Sequence, residues 1–162
     1  MGFDKNYPVK IPSNQIKPKI QTRLHHTINS VSLRPFFSTE AVYSNAELQR
    51  EHILKENKGK SGIYLWTNTL NGKSYVGSSV NLNFRFNHYY SKGYLKKEMD
   101  KNNSTIYKAL LKNGYSNFRL EIIEYCEPEK CIEREQYFID LLNPQYNCRF
   151  TTWSETYRGN SG

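Results

Sequence analysis

Apolar positions change their spacing along the chain, and that change outlines the elements. Ile63-Tyr64-Leu65-Trp66 and Lys73-Ser74-Tyr75-Val76 are short runs rich in the branched and aromatic residues that strands favour. Asn71-Gly72 lies between them, and both residue types tolerate positive φ, so the pattern predicts a hairpin with a two-residue loop. That register sets Leu70 against Lys73 and Asn68 against Tyr75. Strand alternation then puts Tyr64, Trp66, Asn68, Tyr75 and Gly77 on one face, with Gly77 leaving space for a backbone or a ligand. A slip of one residue would separate the tyrosines. The face fits a sheet surface packed under a helix, or a site.

Elsewhere the spacing is helical. Asn45 to Lys58 carries a weak stripe of Leu48, Ile53 and Leu54 after a capping Ser44 or Asn45. Asn57 to Gly62 then breaks the chain, and the main domain is expected to start there. Asn81 caps a helix to about Tyr90, with Leu82, Phe86 and Tyr89 or Tyr90 as its apolar side. Arg85 and Tyr89, four apart, share a face, and His88 can also reach it. Residues 92–101 are expected to form a charged, glycine-containing loop with Lys92, Lys96, Lys97 and Lys101. Ser104 opens a helix over Thr105 to Asn113 whose stripe includes Ile106, Tyr107, Leu110 and Leu111. Asn117 to Tyr125 alternates as a strand. Glu127-Pro128 opens a last helix with the stripe Cys131, Ile132, Glu135, Phe138, Ile139 and Leu142, and Asn143-Pro144 ends it. A short strand is expected through Tyr146 to Phe150.

Four segments follow: 1–39 disordered or targeting, 40–58 a lead-in helix, 59–150 the main α/β (α+β) domain, and 151–162 a short polar tail. Residues 1–39 hold four of the six prolines, and Asp4 is the one acid before Glu40. Arg23 to Thr39, basic and rich in Ser and Thr, is similar to the end of a mitochondrial presequence, or is a flexible tail.

Charge narrows the function. The net charge is +8 and the isoelectric point about 9.3, which suits a polyanion, nucleic acid first, or simply a soluble basic protein. The 13 tyrosines among lysines suit base stacking and phosphate contacts. No apolar run approaches the ~18 residues of a membrane span. Cys126, Cys131 and Cys148 lack the spacing of a disulfide framework, and no histidine lies near enough to complete a zinc site.

Glu135 stands within its helix's apolar stripe rather than opposite it. A buried carboxylate needs a cation or strong donors. It is either half of an internal ion pair, for example with Arg85, or a ligand for a hydrated Mg²⁺, which needs one or two carboxylates plus phosphate.

Gly62-Ile63-Tyr64, then Tyr75-Val76-Gly77 with Asn71-Gly72 between and Ser78-Ser79 after, resembles the signature of GIY-YIG nucleases. The match continues through Arg85, Glu135 and Asn147 and covers roughly residues 61–147; the wording is similar to fungal mitochondrial intron-encoded homing endonucleases. The resemblance implies a small fold with a three-stranded mixed sheet flanked by helices, behind a flexible N-terminal extension. It implies hydrolysis of double-stranded DNA with one divalent ion, Mg²⁺ with Mn²⁺ as a substitute, and no small-molecule cofactor. Tyr64 matches the general base, Tyr75 the tyrosine on the scissile phosphate, Arg85 the transition-state cation, Glu135 the metal ligand, and Asn147 the supporting asparagine. Tyr89 stands where many members carry histidine, with His88 one residue early. Lys73, Lys96 and Lys97 are the expected DNA contacts. Homing relatives carry a DNA-reading domain after the nuclease, and none fits in 151–162. An inactive fold serving as a nucleic-acid-binding module, or a component of a larger repair complex, is the alternative. A tyrosine is a poor base at its ordinary pKa of about 10, and becomes one beside a metal or an arginine that favours the phenolate.

Overall fold

The computed structural model describes residues 37–147. The expectations for 1–36, for 151–162 and for a strand reaching Phe150 therefore lie outside the described residues. The strands are β1 (Ala41–Tyr43), β2 (Gly62–Asn68), β3 (Ser74–Ser79) and β4 (Phe118–Tyr125). The helices are α1 (Arg50–Glu56), α2 (Leu82–Tyr90), α3 (Lys92–Asn102), α4 (Thr105–Asn113) and α5 (Cys131–Leu142), and none is long and apolar enough to cross a membrane.

The strands form one sheet in the order β1-β4-β2-β3, and every pair is antiparallel. The expected sheet had three strands and mixed direction; the fourth is β1, with Val42 opposite Glu121 of β4. A strand of three residues is too short to show a period. The segment 40–58 is thus no separate lead-in but part of the core. Tyr43, Ala46 and Ile53 are all 1% exposed or less. The Tyr43 hydroxyl donates to Glu56 at 2.5 Å, Asn57 Nδ2 to the Tyr43 oxygen at 2.9 Å, and the Tyr125 hydroxyl to Asn57 Oδ1 at 3.0 Å. These bonds tie β1 and α1 to β4. The helix itself is shorter than expected: residues 46–49 are a turn, in which the Asn45 carboxamide accepts from the Glu47 and Leu48 amides.

Both sheet faces are covered. One core joins Tyr64, Trp66, Phe118, Leu120 and Ile122 of the sheet to Phe86, Tyr89, Leu95 and Leu110 from α2, α3 and α4. On the other face Ile63, Leu65, Val76 and Ile123 meet Phe138 of α5. This explains why β2 is buried along its whole length.

Three local expectations change. The hairpin loop spans four residues, 69–72, because the Asn68 amide pairs with the Lys73 carbonyl and the Gly72 amide with the Asn68 carbonyl. The Asn68 and Asn71 side chains each accept from the amide two residues on, at 3.0 Å, and these Asx turns replace the two-residue loop. Trp66 therefore opposes Tyr75, and Tyr64 opposes Gly77. The shift from the predicted register is two residues, so every side chain keeps its face.

Residues 92–102 are helix α3, not a loop. The Ser91 hydroxyl accepts from the Tyr94 amide, Leu95 is fully buried, and Asn103 closes the helix in the left-handed conformation. In α5, a 3₁₀ turn over Pro128–Lys130 precedes the helix, and Ile132 is 83% exposed. It leaves the apolar stripe because Cys131 and Phe138 set the buried face.

Candidate active site

The two glycines of the paired triplets are spacers. A Cβ on Gly77 would lie 2.5 Å from the Tyr64 hydroxyl, so the space beside Gly77 is filled by the Tyr64 ring rather than by a ligand. A Cβ on Gly62 would run into the Glu124 carbonyl of the neighbouring strand. Close packing at these two points sets where Tyr64 stands.

Tyr64 is 1% exposed and packs edge-on against Phe86 and Tyr89, with centroids 5.2 and 5.9 Å away. Its hydroxyl lies 3.1 Å from that of Tyr89, itself 1% exposed. Asn81 starts α2 by accepting from the Phe84 amide, and the helix then delivers Arg85 and Tyr89 to this face together. Tyr89, not His88, meets Tyr64; His88 packs between the rings of Phe84 and Tyr94.

Burial governs the phenols. It pushes Tyr64 well above the usual tyrosine value; nearby Tyr75 adds to this, while Arg85 pulls the other way and loses. Burial likewise raises Tyr89. Tyr75 is pushed up to about 12, by burial first and then by the negative charge of Glu135. The expectation that arginine would favour a Tyr64 phenolate is not met, because desolvation outweighs it. Arg85 stays charged, held up chiefly by Tyr64 and then by Tyr89, Tyr107 and Tyr75.

Glu135 comes from the opposite side. α5 covers the far sheet face, and its Glu135 carboxylate accepts from the Ser78 hydroxyl of β3. No ion pair joins it to Arg85. It is half-buried, and its second oxygen makes no hydrogen bond among the described residues. The adjacent Arg134 fixes the helix by a fork onto Glu124 of β4, at 2.7 and 2.6 Å. No group of three or more His, Cys, Asp or Glu among the described residues could cage a metal. A single open carboxylate suits a largely hydrated divalent ion that phosphate helps to hold.

The site therefore straddles β3, the edge strand. Asn147 covers part of that edge: its Oδ1 accepts from the Val76 amide and its Nδ2 donates to the Val76 carbonyl, each at 2.8 Å. The side chain pairs with β3 as a strand's peptide group would. The Tyr146 amide donates a hydrogen bond to the Ser74 carbonyl at 2.9 Å. The clasp comes from a turn at residues 145–146 and a bend at Asn147, not from a strand.

Lys73 is exposed between the hairpin loop and β3, and Lys96 and Lys97 are exposed on α3. None is hydrogen-bonded or ion-paired to the cluster. Two participants were assigned no role in the sequence. Ser78 orients Glu135. Tyr107, placed in a core stripe by its spacing, brings its ring 5.5 Å from Tyr89 and its hydroxyl to Arg85. The signal was present in the residue type, since a tyrosine in a stripe needs a partner for its hydroxyl.

Comparison with known proteins agrees with the triplets. The family model described as the GIY-YIG catalytic domain matches residues 60–147. A Neurospora crassa protein named "Probable intron-encoded endonuclease 1" is 30% identical over 113 residues, which cover 70% of this chain and 34% of that protein. The chain thus spans about a third of that relative's length. Two solved structures of the catalytic domain of intron endonuclease I-TevI, one of them a mutant, are each 32% identical. They cover 54% of this chain and 92% and 94% of their own, with TM-scores of 0.45 and 0.44. The chain belongs to the GIY-YIG family.

Proposed function

We propose that the chain is a DNA endonuclease that hydrolyses a phosphodiester with one divalent ion, Mg²⁺ by preference and Mn²⁺ as a substitute. The observation that carries this reading is the meeting of Arg85, Tyr64, Tyr75, Tyr89 and Glu135 about the edge strand β3. Such a site suits a phosphate: it offers a permanently charged guanidinium, phenol donors and a carboxylate. The description of the Neurospora crassa relative as a probable intron-encoded endonuclease supports the same reading.

Arg85 binds non-bridging phosphate oxygens through its planar fork and neutralises charge that grows in the transition state. Glu135, aimed by Ser78, would hold the metal. When bound, a divalent ion would polarise the phosphate and lower the pKa of its water. Tyr64, held neutral by burial and fixed by the Tyr89 hydroxyl 3.1 Å away, orients the attacking water by hydrogen bonding; as that water's oxygen bonds to phosphorus its proton goes to bulk solvent, and the oxygen released from the broken P–O bond takes a proton from solvent. Tyr75 donates to the phosphate from the half-buried rim. Asn147 keeps β3, and so Tyr75, in place. The substrate is double-stranded DNA, with Lys73, Lys96 and Lys97 as backbone contacts, and the composition of residues 23–39 supports a mitochondrial address.

The test separates binding from cutting. Arg85→Ala and Tyr64→Phe should each slow metal-dependent cleavage by about 100-fold or more while DNA affinity, measured in chelator, changes by less than about 10-fold. Loss of affinity equal to loss of rate would make these residues binding groups and favour an inactive binding module.

A further inference from the structure

The exposed side of α2 carries a feature that the hydrolytic cluster does not use. Phe84 is 60% exposed in the first turn of the helix. Its ring centroid is 4.3 Å from that of His88, four residues on, with the planes at 62°. His88 in turn stacks on Tyr94 of the next helix, centroids 4.1 Å apart and planes within 15°. Three rings from two helices thus interlock into one rigid step.

The step adjoins the site. Phe84 and His88 flank Arg85 and Tyr89 in the chain. Tyr107, whose ring lies 5.5 Å from Tyr89, has both the Arg85 guanidinium and the Tyr94 phenol as electrostatic neighbours. The surrounding charge favours a polyanion. Lys92, Lys96 and Lys97 are exposed on the helix that carries Tyr94. Of the nearby acids, Glu98 is engaged by Lys101 at 3.7 Å and by Asn102 at 3.1 Å, which leaves Asp100.

We propose that Phe84, His88 and Tyr94 form a stacking platform for a nucleobase of the DNA strand held at the Arg85 site. The proposal rests on the nuclease reading for its ligand. Every base has a π-face, so such a platform adds affinity without reading sequence. A rigid aromatic wedge also favours a base step that is partly unstacked, which would bend the duplex towards the edge strand β3. The lysines beside it neutralise phosphates and set the salt dependence.

The experiment measures the affinity of the purified chain for a short labelled duplex and for one of its strands alone, in chelator so that no cleavage occurs, over a range of salt. Phe84→Ala should lose about 5- to 100-fold in affinity, the expected effect of deleting one stacking ring, with an unchanged salt slope. Phe84→Trp should restore affinity. Lys97→Ala should instead flatten the salt slope, and Leu48→Ala, which removes a still more exposed apolar residue far from the step in the chain, should bind as the wild type does. Wild-type affinity in Phe84→Ala for both DNAs overturns the platform, and if the wild type nicks plasmid the nuclease reading survives. A wild type that binds through Phe84 but fails to cut whichever divalent ion is supplied keeps the platform and overturns the nuclease.

Discussion

At the scale of single residues, the site depends on the absence of two side chains. Gly77 gives its space to the Tyr64 ring. Gly77→Ala should therefore displace Tyr64 without unfolding the protein: a stability loss of about 1–3 kcal/mol by denaturant titration, with a much larger fall in cleavage rate. Equal and small effects on both would show that Tyr64 has slack. The sequence showed which residues converge, because a slip of two in the hairpin leaves strand faces unchanged. It could not show protonation. Arg85 suggests an easily ionised tyrosine, and only the depth of burial shows that desolvation wins. Nor could it choose between Glu135 as an ion-pair partner and as an open carboxylate, since Ser78 is brought to it by packing across 57 residues.

Among elements, the segment before Gly62 is the least legible. Its Gly59, Lys60 and Ser61 look like a boundary, and the family match begins only at residue 60. The physical boundary lies earlier, because β1 completes the sheet edge beside β4 and α1 buries Ile53 completely. Ile53→Ala should cost about 2–5 kcal/mol in urea titration of the whole transition. A change confined to a minor early phase would mean that 40–58 is an appendage after all. Helix α3 was missed for a related reason: its lysines and glycine read as a loop, while one buried leucine and two polar caps suffice to hold it. The opposite edge, β3, is protected by the Asn147 carboxamide, a side chain imitating a strand, which no periodicity reveals.

The molecule as a whole is a basic, tyrosine-rich protein, and its ionisation sets its stability. Burial raises the phenols of Tyr43, Tyr64, Tyr75, Tyr89, Tyr90, Tyr107 and Tyr115 above the free value. Below pH 10 these tyrosines are protonated whether folded or not, so their contribution is fully present. Above it the unfolded chain loses protons that the native state keeps, and stability falls by up to about 1.4 kcal/mol per pH unit for each such tyrosine. Urea midpoints should therefore drop steeply from pH 10 upward, and a flat profile to pH 11 would show that the phenols are not desolvated.

The central claim is that this fold cuts DNA with the aid of Glu135. Its most direct test is the conversion of supercoiled plasmid to nicked or linear form by the wild type and by Glu135→Ala, with Mg²⁺, with Mn²⁺ and in chelator. The account predicts cutting by the wild type only with a divalent ion, and none by a Glu135→Ala chain that keeps the wild-type circular dichroism spectrum. Cutting that persists in chelator or in the folded variant would contradict it.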